Sequence, residues 1–457
     1  MPGDTVHVWS DLDPVTMTFQ GWIGDTSLLA DTEEWHTTFI MPDNDVYFYA
    51  LQDSTGLIDF EYEIIQGAEN QKNVYYKFPE NSIGTIFFFH GGSGNAEDFA
   101  DRVETIQFSQ DALQKGYGII ITESENATLN TGLNRWLLDS LTIEENIDIA
   151  NIQALIDTFT IRGSINAQDP IYSAGVSNGG NFSSVVAHAL NFSAAAMYCA
   201  QGIPPALYLV TETPTVFCPA KYDPALGGGN WGAHMNFNFL QSRGIPSAFY
   251  ELDRSPAYPQ RFVRIPEIDT TLSNDLFSEL LTMGFIDNDH YFTVLDDSIQ
   301  SLYMANPDTF SVLGTLNILT IRHVLDQIKV ITADHSFFAD YNERVLTFFN
   351  MYSDVLSTAK DSSIPHQYTL YSAYPNPFNP ITTLRYNFPE NGHVNITIYD
   401  MLGRHVKTLV NQTQDAGFKS VIWNATNDYG KPVSAGVYLY QIQAGDFVQT
   451  KKMVLLK

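Results

Sequence analysis

Ser173-Ala174-Gly175-Val176-Ser177-Asn178-Gly179-Gly180 closes a short apolar run and opens a segment of helical character, and its centre reads G-x-S-x-G. A serine hydroxyl becomes a useful nucleophile only when the backbone holds it out of regular structure, beside a base and beside donors for an oxyanion. A sharp strand-to-helix turn does this, and glycines on either side let such a turn pack. Strand before and helix after are what separate this stretch from a Gly-rich turn carrying a solvated serine.

Working outward, residues 55–355 alternate between strand and helix patterns. Ile83-Gly84-Thr85-Ile86-Phe87-Phe88-Phe89 is a continuous β-favouring run of the kind buried on both faces of a sheet. A helical stretch from Asn95 to Lys115 follows, then Tyr117 to Thr122 as a strand. Ile143 to Phe159 has helical spacing, with Thr142 and Glu145 offering a capping box. The runs Ile171–Val176, Ala194–Cys199 and Pro214–Cys218 continue the series, which predicts a parallel sheet covered by helices on both faces. Residues 255–330 interrupt the rhythm as a mostly helical, lid-like insertion.

Ligands of open α/β sheets bind beyond the carboxyl ends of the strands. After the Phe-rich strand comes His90-Gly91-Gly92-Ser93-Gly94, a turn able to aim backbone N–H groups at a substrate oxygen. With the N–H following the nucleophile, this predicts an oxyanion hole from Gly92 and Asn178, Ser93 being the neighbour that could replace Gly92. His90 reads as a prop for that loop. In this fold class the triad follows in the order Ser, Asp or Glu, His. Asp223 stands in the loop after the strand ending at Cys218, and Asp253, past the next strand, is the runner-up. His335 follows a short apolar run and precedes the last helix, where the base belongs; His290 and His323 lie in the insertion, His290 being the fallback, and His234 is poorly placed. Trp136, Tyr222 and Trp231 fall in strand-end loops and are candidate substrate-stacking residues, with core packing as the alternative for each.

The chain has 457 residues, enough for two or three domains, and no apolar run approaches the ~20 residues of a membrane helix. Its 23 basic residues face 52 acidic ones, a formal charge of −29, which argues against nucleic-acid or anionic-membrane partners. Cys199 and Cys218 cannot make a zinc or iron–sulfur spacing; they end neighbouring strands, leaving either a disulfide or two buried thiols. No metal or organic cofactor is called for.

The flanks differ in texture. Residues 1–52 alternate as strands at Val15–Phe19 and Asp45–Tyr49, a small β module. After His366 a proline-punctuated entry, Tyr374-Pro375-Asn376-Pro377-Phe378-Asn379-Pro380, leads into short alternating strands to Lys457, the pattern of an Ig-like β-sandwich over 366–457. The start, Met1-Pro2-Gly3-Asp4, has neither a basic nor an apolar leader region.

Three resemblances add to this reading. Gly21-Trp22-Ile23-Gly24-Asp25 with Met41-Pro42-Asp43-Asn44-Asp45-Val46 resembles an internalin B-repeat-type β module. Phe88-Phe89-His90-Gly91-Gly92, Gly175–Gly180, Trp136 and Ile147–Asp157 resemble an α/β-hydrolase of the polyhydroxybutyrate-depolymerase and feruloyl-esterase type. That resemblance implies ester hydrolysis by Ser177, Asp223 and His335, although Gly227-Gly228-Gly229-Asn230-Trp231 and the 255–330 insertion depart from the family pattern. Finally, Tyr374–Pro380, Ile398–Gly403, Ser434–Tyr438 and Lys451–Lys457 look like a type IX secretion sorting domain. This implies export to the surface or medium through that machinery, with a signal peptide removed.

The expectation is therefore a secreted or cell-surface serine esterase on an α/β-hydrolase fold. Its substrates would be aromatic or polymeric esters of the feruloyl, polyhydroxyalkanoate or terephthalate type. The alternatives are a serine peptidase on the same fold and a catalytically inactive surface-binding protein.

Overall fold

The computed structural model describes residues 2–10, 17–54, 58–166, 168–226, 230–353, 368–370, 373, 378, 380, 382–389, 391–414, 417–445 and 447–456. Val15 and Thr16 of the first expected strand, Gly227–Gly229 and most of the 374–380 proline entry lie outside them. The chain divides into two compact units, Met1–Pro204 with Glu212–Leu356, and Pro205–Thr211 with Ser357–Lys457.

In the first unit, four strands come before the main sheet: β1 (Thr5–Trp9), β2 (Met17–Gly24), β3 (His36–Ile40) and β4 (Phe48–Ser54). They pair antiparallel as β1 with β3 and β2 with β4. The main sheet comprises β5 (Glu61–Gln66), β6 (Gln71–Lys77), β7 (Gly84–Phe89), β8 (Tyr117–Thr122), β9 (Ile171–Val176), β10 (Ala194–Tyr198), β11 (Thr215–Cys218) and β12 (Ser247–Phe249). Its order is β12-β11-β10-β9-β7-β8-β6-β5. Neighbours from β12 through β8 are parallel, while β6 runs antiparallel to both β8 and β5. One reversed strand second in an eight-stranded sheet, with β7 and β8 exchanged in order, is the α/β-hydrolase arrangement.

The all-apolar runs follow from this placement. Every residue of β7, β8 and β10 is buried, because helices cover both faces. Ile86, Phe88, Ile119, Ile121, Ala174 and Val216 join one core with Phe337, Phe338 and Phe349 from the last segment of the unit. The helix expected from Ile143 begins instead at Ile147 and is capped by Asn146, whose side chain accepts from the N–H groups of Asp148 and Ile149. Asn146 outcompetes the Thr142 box because it places its oxygen over two free helix donors at once.

The insertion is helical, with Thr270–Thr282, Asp296–Ala305 and Ile318–Ile331, and it closes its own apolar cluster around Phe262, Leu276, Leu280, Ile299, Val324 and Ile328. The N-terminal strands are fixed to the α/β body by charge and ring contacts. Arg344 pairs with Asp31, and Trp35 lies beneath the guanidinium groups of Arg261 and Arg264 at 5.4 and 4.3 Å.

The second unit holds β13 (Thr369–Leu370), β14 (Thr382–Phe388), β15 (Gly392–Asp400), β16 (His405–Gln414), β17 (Gly417–Trp423), β18 (Gly436–Ala444) and β19 (Phe447–Leu455). They form antiparallel sheets ordered β13-β14-β17 and β16-β15-β18-β19 around Leu384, Ile396, Trp423, Tyr440 and Met453.

Candidate active site

Ser177 is the first residue after β9 and precedes the helix Asn178–Ala189. Its backbone sits at φ 58°, ψ −119°, a conformation that a non-glycine residue holds only when its surroundings impose it. The flanking glycines explain how. A Cβ on Gly175 would stand 2.4 Å from the Gly179 carbonyl oxygen, and one on Gly179 would stand 2.3 Å from the carbonyl oxygens of both Phe89 and His90. Only hydrogens fit, so the helix can press against the end of β7 and lift Ser177 to the carboxyl edge of the sheet. Two further non-glycine residues with positive φ, Cys199 (45°) and Ala333 (51°), lie in the loops around it.

The loop before the helix Ala96–Ala100 supplies the facing wall. A Cβ on Gly92 would lie 3.6 Å from the Asn178 Cβ, so the two expected oxyanion donors belong to adjoining residues. The Asn178 side chain is itself clamped: its oxygen accepts from Trp136 N at 2.7 Å and its amide donates to Trp136 O at 3.2 Å. His90 is 1% exposed, and its Nδ1–H donates to Gly91 O at 2.7 Å while Nε2 accepts from Ser124 N at 3.1 Å. Those partners require the neutral ring, and burial pushes its pKa down to about 4. His90 therefore holds the turn and takes no proton near neutral pH. Ser93 is exposed at the tip of that turn.

Asp223 and His335 meet directly. His335 Nδ1–H donates to Asp223 Oδ2 at 2.6 Å, and the Asp223 side chain is wholly shielded while that of His335 is 28% exposed. The other Asp223 oxygen accepts from Ala225 N at 2.8 Å. The two loops are tied together by Tyr222 N donating to Ala333 O, and Asp334 accepts from the His335 N–H at 2.6 Å. Ser177 reaches the same edge through its N–H, which donates to Tyr198 O at 2.8 Å at the end of β10. Among the described residues its hydroxyl makes no hydrogen bond to the His335 ring.

The other candidates go elsewhere. Asp253 is half-exposed and bound to Lys221 Nζ at 2.5 Å. His234 stacks on Phe249 at 4.1 Å, His290 is exposed beside Phe277, and His323 is buried in the insertion with its nearest carboxylate oxygen, on Asp101, 3.9 Å away. Cys199 and Cys218 are buried free thiols. Ligand atoms of Cys199, Asp223 and His335 lie within 4.8 Å of one another. They do not suit a metal, because two ligands of one ion stand roughly 3 Å apart or more whereas the acid and imidazole are bonded at 2.6 Å. Burial also pushes the Cys199 thiol well up, and it donates to Ser336 O.

Trp136 does not offer a face to a substrate. It is 2% exposed, stacks on Phe182 at 4.6 Å, meets Phe89 edge-on and donates from Nε1 to His90 O. Burying so large a ring stabilises the support of the His90–Gly92 turn, which is why packing wins over stacking here. Tyr222 (43% exposed) and Trp231 (54%) remain on the surface near the acid loop. Tyr222 borders a cavity of about 170 Å³ with Arg254, Tyr291 and Leu295, and the Arg254 guanidinium lies 5.4 Å from the centres of both tyrosine rings. Sequence reading missed Asp334, Arg254 and the Asn178–Trp136 clamp. Asp334, adjacent to His335, is the one a sequence could have suggested.

Comparison with known proteins assigns the C-terminal region. Residues 372–456 match the secretion system C-terminal sorting domain family, and the chain is a secreted or cell-surface protein. No curated protein sequence matches the chain. Among solved structures, dimeric latent PorU from Porphyromonas gingivalis is similar at 23% identity and a TM-score of 0.17, over 19% of this chain and 9% of that one. A ferulic acid esterase is similar at 11% identity and a TM-score of 0.35, over 42% of this chain and 89% of that one. A dienelactone hydrolase from Anabaena variabilis is similar at 14% identity and a TM-score of 0.34, over 49% and 98%. This chain thus spans about a tenth of the PorU length. Its fold is defined by strand order and register.

Proposed function

We propose that the chain is a secreted serine carboxylic-ester hydrolase whose triad is Ser177, Asp223 and His335. The observation that carries this reading is the 2.6 Å Asp223–His335 bond, its carboxylate wholly shielded, on the same sheet edge as a serine held at positive φ. Ser177 Oγ attacks the ester carbonyl while His335 Nε2 takes its proton, after a side-chain rotation of the kind often needed in unliganded sites. Asp223 fixes the proton on Nδ1 and stabilises the imidazolium. The N–H groups of Asn178 and Gly92 hold the oxyanion, each donor contributing roughly 3–4 kcal/mol in comparable sites. The leaving alcohol takes the proton from His335, and water then releases the acid by the same route.

Aromatic or polymeric acyl esters are the substrate class proposed, supported by the exposed Tyr222 and Trp231 and by the cavity beside Tyr222. The test compares kcat/KM for 4-nitrophenyl butyrate, methyl ferulate, a terephthalate diester and polyhydroxybutyrate with that for peptide 4-nitroanilides. At least one ester is expected to exceed every anilide by about 100-fold. Faster anilide cleavage would establish the peptidase reading, and inertness toward all of them would leave a binding protein.

A further inference from the structure

A second cavity, of about 240 Å³, opens between β5, β6, the end of β8 and the loop before Trp136. None of the residues lining it is needed for the triad. Its floor is an ordered polar chain. Tyr62 OH donates to Asn73 Oδ1 at 2.8 Å, Asn73 Nδ2 donates to Glu123 Oε1 at 2.9 Å, and Thr128 Oγ1 donates to the same carboxylate oxygen at 3.1 Å. Glu123 is only 5% exposed, so its carboxylate is held in place by these donors. One wall is the pair Tyr62 and Tyr75, register partners on β5 and β6, with ring centres 4.9 Å apart. Glu97 and Asn134 complete the lining used here.

The placement relates this cavity to the reaction. Val74 pairs with Thr122, so Asn73 and Glu123 stand at the carboxyl edge of the sheet, the edge that carries Ser177. Three consecutive residues then bridge the two places. Asn134 lines the cavity, the Arg135 side chain lies against Gly92 (a Cβ there would be 3.2 Å from Arg135 Cγ), and Trp136 N binds the Asn178 side chain. The cavity therefore adjoins, through residues 134–136, the turn that carries Gly92, on the side away from Tyr222.

We propose that this cavity is a subsite for one neutral sugar unit, the alcohol half of the ester. The chemistry of the lining selects that class. Fixed carboxylate oxygens accept hydroxyl protons, amides both donate and accept, and tyrosine faces cover the apolar C–H face of a ring. Two carboxylates reject an anionic ligand. A hard cation would want six or more oxygens, whereas Asn73 turns its NH₂ toward Glu123 and occupies one of the oxygens itself. The volume lies below the roughly 300–1,000 Å³ of drug-sized pockets, which suits a single ring.

This assignment rests on the proposed esterase reading only for the word alcohol; binding itself can be measured without catalysis. Xylotriose, cellotriose and maltotriose are titrated calorimetrically into full-length Ser177→Ala. At least one is expected to give saturable heat, weakened tenfold or more by Tyr62→Ala or by Asn134→Ala, both on the cavity rim. In the otherwise wild-type enzyme the same changes should raise KM for a feruloylated xylo-oligosaccharide tenfold, leaving kcat for it and all constants for methyl ferulate within twofold. No heat from any of the three sugars, or heat that both variants leave unchanged, would overturn the subsite even if every ester is hydrolysed. Calcium chloride heat abolished by Glu123→Gln, with no sugar heat, would mark a cation site and overturn it equally. Sugar heat in a chain that cleaves no ester would leave the subsite standing and remove the esterase.

Discussion

Replacing Asp223 with asparagine is expected to lower kcat for ester hydrolysis by about 10⁴-fold, the loss the same change produces in other triads, with KM and thermal stability little altered. The reason lies in how the carboxylate is held. Ala225 N donates to Asp223 Oδ1, so in the variant that position keeps an acceptor and the amide oxygen must sit there. The NH₂ then faces His335 Nδ1 across the 2.6 Å contact. Two donors cannot share that line, so the imidazole accepts at Nδ1 and carries its proton on Nε2. A ring protonated at Nε2 cannot take the serine proton. Asp253→Asn is the matched control, because that exposed carboxylate is bound to Lys221 and should change kcat by less than about twofold. The measurement is steady-state kinetics on one nitrophenyl ester. Comparable losses in the two variants would refute the acid assignment.

Gly179→Ala is expected to cut kcat/KM by about 100-fold or more and to lower the melting temperature. The added methyl would stand 2.3 Å from two backbone carbonyl oxygens at the end of β7, where every residue is buried and neither oxygen can withdraw cheaply. Overpacking of this sort costs about 1–3 kcal/mol, and relief requires the helix Asn178–Ala189 to move off the sheet. That motion carries Ser177 and the Asn178 N–H with it, and displacement by 1 Å is enough for a loss of about 100-fold. Gly91→Ala, in the facing loop, brings its methyl only to ordinary van der Waals contact, 3.7 Å from Ser177 Cβ and Val176 Cγ1, and should leave the melting temperature unchanged. Activity and scanning calorimetry of the two variants check this. A Gly179→Ala enzyme with wild-type kinetics would mean that the tight turn does not position the nucleophile.

Much of the fold was legible because burial on both faces writes itself into sequence. The Phe-rich β7, the Ile-rich β8 and the apolar β10 are uninterrupted runs that only a covered parallel sheet requires. The strained turn at Ser177 was legible for a related reason, since the glycines at 175 and 179 are required by close contacts in and around the turn. What sequence could not show is convergence. His335 and Asp223 are 112 residues apart, and Trp136 clamps Asn178 across 42 residues. Nothing local in Trp136 distinguishes a ring packed behind the His90–Gly92 turn from one facing a substrate. The capping box at Thr142 failed because a stronger cap, Asn146, lay one turn further on. The polar cavity is drawn from β5, β6, the end of β8 and two loops, none of which has a motif of its own.

If Ser177 is an activated ester nucleophile, a mechanism-based label will find it. Wild-type protein is treated with a fluorophosphonate, and peptide mass spectrometry locates the adduct while residual ester hydrolysis is followed in the same sample. One phosphonate per chain is expected, on the peptide containing Ser177, with activity lost in proportion to labelling. Full esterase activity with Ser177 unlabelled, or inactivation through an adduct on another residue, would contradict it.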